Sequence, residues 1–207
     1  MGSAEAAGIM AERYFAGDAD IERNLAKSFE WAVVASRGGD PIGQFRLAYF
    51  YHRGGVVGED YGQALKWYKL AASGGVEQSL NNIGNIYFEG GFGIEQDRVE
   101  SARWFHNGAR KGCCIALRNL AECHYAGLGV PRNRGTAREF FWAASQKGNT
   151  DASFRVGVMF IRGDGGPKAV SRGIALVELA ARNGVCGAEV AMSEIANAIS
   201  MCDIIGY

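Results

Sequence analysis

The sequence predicts an all-α solenoid of about five helix pairs in series, closed by a C-terminal capping helix. Bulky apolar, small and glycine positions recur every 36 or 37 residues along most of the chain. Within each period, apolar residues follow the three-and-four spacing of a helix face. Glycine is abundant, 30 of 207 residues against only 3 prolines, and ten of these glycines stand at two fixed points of the period. Neither collagen nor Pro/Gly low complexity has that arrangement.

The first repeat, about 6–39, opens with Met10-Ala11, the ring of Tyr14 and Gly17, and continues through Ser28, Trp31, Ala35 and Gly39. The second, about 43–75, restates this as Leu47-Ala48, Tyr51 and Gly54, then Ala64, Trp67, Ala71 and Gly75. In the third, about 79–112, the residues are Ile83-Gly84, Tyr87 and Gly90, then Ser101, Trp104, Gly108 and Gly112. The fourth, about 116–148, has Leu120-Ala121, His124 and Gly127, then Ala137, Phe140, Ala144 and Gly148. The fifth, about 152–184, has Val156-Gly157, Phe160 and Gly163, then Gly173, Leu176, Ala180 and Gly184. One period further, Ala188 and Met192 start a capping helix over about 187–200, onto which the apolar tail 201–207 folds back.

Each period therefore reads as helix, loop, helix, turn, with a glycine where each helix ends and positive φ is wanted. Small residues on facing helices allow close approach, and the ring fills the space between successive pairs. One pair cannot bury its apolar face alone, so neighbours must stack.

Charge and composition narrow the function. Lys+Arg and Asp+Glu balance at 22 each, so nucleic acid is not an expected partner of the whole chain. With 48% hydrophobic and 21% charged residues the chain buries a sizeable core. No run approaches the roughly 18 apolar residues of a membrane span, so no membrane insertion is expected. Met1-Gly2-Ser3-Ala4-Glu5 lacks the regions of a signal peptide. The expected location is the cytoplasm, with the periplasm or secretion as the alternative if a natural leader was trimmed ahead of Met1-Gly2-Ser3. Five cysteines without metal-site spacing read as reduced thiols, so neither metal nor cofactor is expected.

The run Ile83-Gly84-Asn85-Ile86-Tyr87-Phe88-Glu89-Gly90, with Gly93-Ile94, Asp97, Ser101-Ala102-Arg103-Trp104-Phe105 and Ala109, resembles the Sel-one-like repeat, a relative of the tetratricopeptide repeat. Leu120-Ala121, Tyr125, Gly127-Leu128-Gly129-Val130 and Ala143-Ala144 match it again. His124 in place of Tyr, Gly108 in place of Ala and the loop Gly163-Asp164-Gly165-Gly166-Pro167 depart from the pattern. The resemblance covers about 6–200 and implies a right-handed α-superhelix acting as an adaptor or scaffold. Some relatives clamp each repeat with paired cysteines. Here Cys114 and Cys186 share a register two units apart, too far to bond, and a Cys113 to Cys123 bridge is disfavoured because Cys123 falls on a buried register.

Catalytic templates are missing: no His-Glu-x-x-His, Gly-x-Ser-x-Gly, Ser-x-x-Lys or Walker loop occurs. Gly91-Phe92-Gly93 and Gly127-Leu128-Gly129 read as turns between helices. Among the histidines, His124 reads as core, His106 lies on a second helix and His52 is placed as exposed. Surface then carries the function. Positions two before, two after and five after the apolar register form a stripe on each first helix, and in the related tetratricopeptide geometry such a stripe lines the concave groove. It comprises Phe45, Tyr49 and His52; Asn81, Asn85 and Phe88; Arg118, Glu122 and Tyr125; and Phe154, Val158 and Ile161. Seven of the twelve are aromatic or aliphatic where exposed positions are ordinarily polar, which suits a groove for a peptide or partner helix. The competing reading packs them against one another as inner core. Between Arg98 and Arg138, eight Arg/Lys stand against Glu100 and Glu122, read first as a solvated face.

The sequence thus points to a non-catalytic interaction module with a protein or peptide partner, monomeric or weakly homo-oligomeric. Two alternatives remain: an enzyme or small-molecule binder with a pocket near His52 or the basic middle repeat, and a self-assembling scaffold.

Overall fold

A computed structural model describes residues 3–195. Its helices are α1 (Ala4–Ala16), α2 (Leu25–Arg37), α3 (Pro41–Arg53), α4 (Tyr61–Ser73), α5 (Gln78–Glu89), α6 (Arg98–Arg110), α7 (Cys114–Ala126), α8 (Arg134–Gln146), α9 (Thr150–Arg162) and α10 (Val170–Arg182). Residues 188–195 form a further helix, α11, at the start of the expected cap. The remainder of that cap and the tail 201–207 lie outside the described residues. No strand occurs among the described residues. The chain divides into two compact units, Met1–Cys113 with α1 to α6 and Cys114–Tyr207 with α7 to α11.

The glycine register is conformational. All ten periodic glycines have positive φ, from 66° at Gly54 to 95° at Gly75. At Gly39 a Cβ would meet nothing within 4 Å, so the backbone angle alone demands glycine there. Gly90 is constrained twice, because a Cβ would also lie 2.8 Å from the Gln96 backbone nitrogen.

Second helices begin in a uniform way. Asn24, Asp60, Asp97 and Asn133 each accept a bond from a first-turn amide through the side chain, Lys27, Gln63, Glu100 and Thr136 at 2.8–3.0 Å. Their own backbone N–H groups, and that of Ala169, donate to the carbonyls of Tyr14, Tyr51, Tyr87, His124 and Phe160 at 2.8–2.9 Å. The ring position thus ends each first helix and clips the start of the second. In the fifth repeat Ala169 keeps the backbone clip but supplies no side-chain cap.

Core packing sits one residue beyond the tryptophan register. Ala32, Tyr68, Phe105, Phe141 and Val177 are almost wholly buried, whereas Trp67 and Trp104 are half-buried and Trp31 is 37% exposed. The large indoles do not fit between helices that meet across small residues, so they cover the seam from outside. Trp104 Nε1 donates to Glu100 Oε1 at 2.9 Å, and Lys66 stands over the Trp67 ring, 5.4 Å from its centroid. Where α9 meets α10, a Cβ on Gly173 would come within 2.6 Å of the Gly157 carbonyl oxygen. Where α5 meets α6, the Phe105 ring occupies the place of a Gly84 side chain.

Candidate functional site

Six of the twelve stripe residues belong to each compact unit. In the first unit the stripe on α3 is filled by its own neighbours. Tyr49 packs edge-on against Phe15 with ring centroids 5.3 Å apart, and Phe45 packs against Tyr68 at 5.6 Å. Between them Arg46, buried, lies 3.5 Å over the Phe15 ring and forms a two-point bond with Glu12, Nε to Oε1 at 2.8 Å and Nη2 to Oε2 at 2.6 Å. On α5, Asn81 is buried, while Asn85 and Phe88 are half-buried. Arg98 stands 5.7 Å from the Phe88 ring centroid.

His52 corrects the sequence expectation of an exposed histidine: it is 7% exposed. The last turn of α3 brings it edge-on against Tyr61 and Tyr68, with ring centroids 5.2 and 6.0 Å away. Its Nε2 has no hydrogen-bond partner among the described residues, and Glu89 Oε2 is 3.9 Å away. Burial pushes its pKa below the ordinary histidine value, against the opposing pull of Glu89. Asn81 also departs from the exposed-stripe expectation, being buried on α5.

In the second unit the same register opens. Glu122 and Tyr125 of α7, Phe154 and Val158 of α9, and Val190 and Ala191 of α11 surround a cleft of about 430 Å3. Phe141 and Met159 close its floor. Phe154, Val158 and Ile161 also rest on the buried cluster of Val177, Ala180 and Ala188. Arg118 is half-buried on α7 and does not line the cleft.

Charged groups ring the cleft. Arg155 Nε meets Glu122 Oε1 at 3.1 Å, and Arg134 Nη1 meets Asp164 Oδ1 at 2.8 Å. Arg162 and Glu194, also on its walls, form no ion pair among the described residues. Val190 and Glu194 lie one period beyond Phe154 and Val158, so extending the stripe into the capping helix names both. Arg155 and Arg162 border the stripe one position to its side. No apolar pattern marks them, and only the cleft brings them into view.

Four of the eight basic residues of the run bond within the chain. Besides Arg134, Arg138 donates to the Pro167 carbonyl at 3.1 Å, Arg132 to that of Tyr125 at 3.1 Å, and Arg103 to Glu100 at 3.2 Å. Arg134 and Arg138 thereby hold the irregular Gly163–Pro167 loop. His124 stacks on Phe140 at 5.7 Å, and His106 is exposed on α6. Cys123 is buried, and burial pushes its thiol up to about 11. Among the described residues no group of three or more His, Cys, Asp or Glu is placed to hold a metal ion, and no helix is long and apolar enough to cross a membrane.

The Sel1 repeat family model matches residues 4–40, 41–76, 78–113, 114–149 and 150–185. An uncharacterised protein of Neisseria meningitidis is 33% identical over 68% of this chain and 28% of its own length. A chitin synthase regulator of Saccharomyces cerevisiae is 30% identical over 37% of this chain and 11% of its own. The chain thus spans less than a third of either relative. Among solved structures, a protective antigen of uropathogenic Escherichia coli is similar over 94% of this chain and 41% of its own, with TM-score 0.81 and 29% identity. A Sel1 repeat protein of Oxalobacter formigenes, at 23% identity and TM-score 0.79, covers 93% of this chain and 76% of its own and shares the fold. Five matched repeats, each a glycine-ended helix pair, establish that this chain belongs to the Sel1 repeat family, whose helix-pair solenoid is a protein-interaction scaffold.

Proposed function

We propose that the chain is a non-catalytic adaptor that holds a peptide or partner helix of another protein, and that the cleft of the second unit is where it does so. The observation that carries this reading is the cleft itself: about 430 Å3 between first helices of successive repeats, with an apolar floor and charged walls. The burial of His52 beneath two tyrosines weighs against a catalytic pocket there. Internal bonding of the basic run weighs against a ligand site on it. Regulation of an enzyme, which the name of the yeast relative states for that protein, is one task an adaptor of this kind performs.

Short linear peptides selected from a displayed library against the full chain test the reading. Val158→Asp puts a carboxylate in place of an apolar side chain of the cleft, within one turn of Arg155 and Arg162 on α9, and is expected to abolish binding, while Leu70→Asp, on an exposed position of α4, leaves it intact. Equal binding by all three proteins removes the cleft from consideration.

A further inference from the structure

We infer that the occupant of this cleft is an acidic, extended peptide segment of another protein, with a bulky apolar side chain seated between two carboxylates that Arg155 and Arg162 receive. The inference rests on the cleft being the docking site and adds the chemistry of its ligand. Arg155 and Arg162 are seven residues apart on α9, two turns of one helix face, or about 10.5 Å of rise. Val158 and Met159 lie between them at three and four residues, so the apolar surface is bracketed by two cations.

Their availability differs from that of the acids nearby. Glu122 and Asp164 already receive arginines, at 3.1 and 2.8 Å, and only 29% and 21% of their side chains are exposed, so in the Arg155–Glu122 pair the cation is the partner that faces an occupant. Arg155 meets Glu122 through Nε, with 57% of its side chain still exposed. Arg162 has no ion-pair partner among the described residues and extends the positive edge at the end of α9. Across the cleft Glu194 is the one lining carboxylate with no counter-charge among the described residues, and it opposes an acidic occupant.

The size of the cleft favours a strand-like segment. About 430 Å3 stands near the small end of ligand pockets, room for one bulky side chain and its neighbours. In an extended chain, residues i, i+2 and i+4 face one way and span about 13 Å. That is within the reach of two flexible arginines whose stems are about 10.5 Å apart. The recognised pattern is therefore acid, any residue, bulky apolar, any residue, acid.

Three readouts on the selected peptides decide the matter. The enriched sequences are expected to carry this pattern. A synthetic peptide of that sequence, followed by fluorescence anisotropy, is expected to bind Arg162→Glu about tenfold more weakly and Glu194→Gln more tightly than the unaltered chain. Replacing its second acid by lysine is expected to restore affinity for Arg162→Glu. Circular dichroism of each variant confirms that the helices persist. Peptides that need Val158 but show no acid preference overturn the inference and leave the docking site standing. Basic peptides that weaken with Glu194→Gln do the same. Binding indifferent to Val158→Asp overturns both readings. So does a concentration-dependent dimer that Val158→Asp dissolves, since the cleft would then belong to a second copy.

Discussion

The two compact units use one sequence register for opposite ends. On α3 the stripe carries Phe45 and Tyr49 beside the buried Arg46, and these residues fill the space between themselves. On α9 the stripe carries Phe154 and Val158, and the facing positions of α7 and α11 hold Glu122, Val190 and Glu194, leaving a cleft. Register fixes which way a side chain points. Volume and charge at the neighbouring position decide whether it becomes core or surface.

This contrast breaks first at the largest side chains. Tyr68→Ala removes a wholly buried ring of the first unit and is expected to cost about 3–5 kcal/mol. Phe154→Ala, on the half-buried wall of the cleft, is expected to cost about 1–2 kcal/mol. Urea unfolding checks both, and comparable losses would mean that the cleft wall is core. Next comes the seam of α9 and α10. Gly173→Ala drives a Cβ to within 2.6 Å of the Gly157 carbonyl oxygen, with an expected loss of about 1–3 kcal/mol by the same measurement.

Ala169→Asn works in the other direction. It supplies the one second-helix side-chain cap that the fifth repeat lacks, and stability is expected to rise by about 1 kcal/mol. A melting temperature unchanged or lowered would show that the clip to Phe160 already satisfies that helix end.

The smallest effect sharpens the description of the first unit through pH. The folded state holds His52 below the ordinary histidine value, so the unfolded chain takes up the proton first as pH falls. Stability is therefore complete above about pH 6.5, the unfolded value, and declines as pH drops from there toward the folded-state value. Melting curves across that range should lose part of this slope in His52→Phe. An unchanged slope would assign the acid sensitivity to other groups.

Much of the fold was legible because glycine and small residues act locally. A positive φ at Gly39 or Gly90 excludes most side chains wherever the rest of the chain lies. The caps Asn24, Asp60, Asp97 and Asn133 keep the same period, and their shared chemistry would have marked every second-helix start up to the fifth. The core register was harder to place, since bulk singled out tryptophan while burial fell on the next residue, as at Trp67 and Tyr68. Least legible was the cleft. Whether Val158 faces a ring or open space depends on residues contributed by α7 and α11, and the register of one helix says nothing about their size. His52 illustrates the same limit, because Tyr61 and Tyr68 of another helix bury it.

The backbone clip between the ring position and the start of the second helix has a consequence for how such a chain can change over time. Tyr14 to Asn24 and Tyr87 to Asp97 span ten residues, while Tyr51 to Asp60, His124 to Asn133 and Phe160 to Ala169 span nine, and the same bond closes all five. From ring to Trp31 or Trp104 is correspondingly one residue more than from ring to Trp67, Phe140 or Leu176. Each loop is thus a pinched-off segment whose length is uncoupled from helix stacking. Insertions and deletions there are absorbed locally, so the loops can diversify while the stack keeps its register.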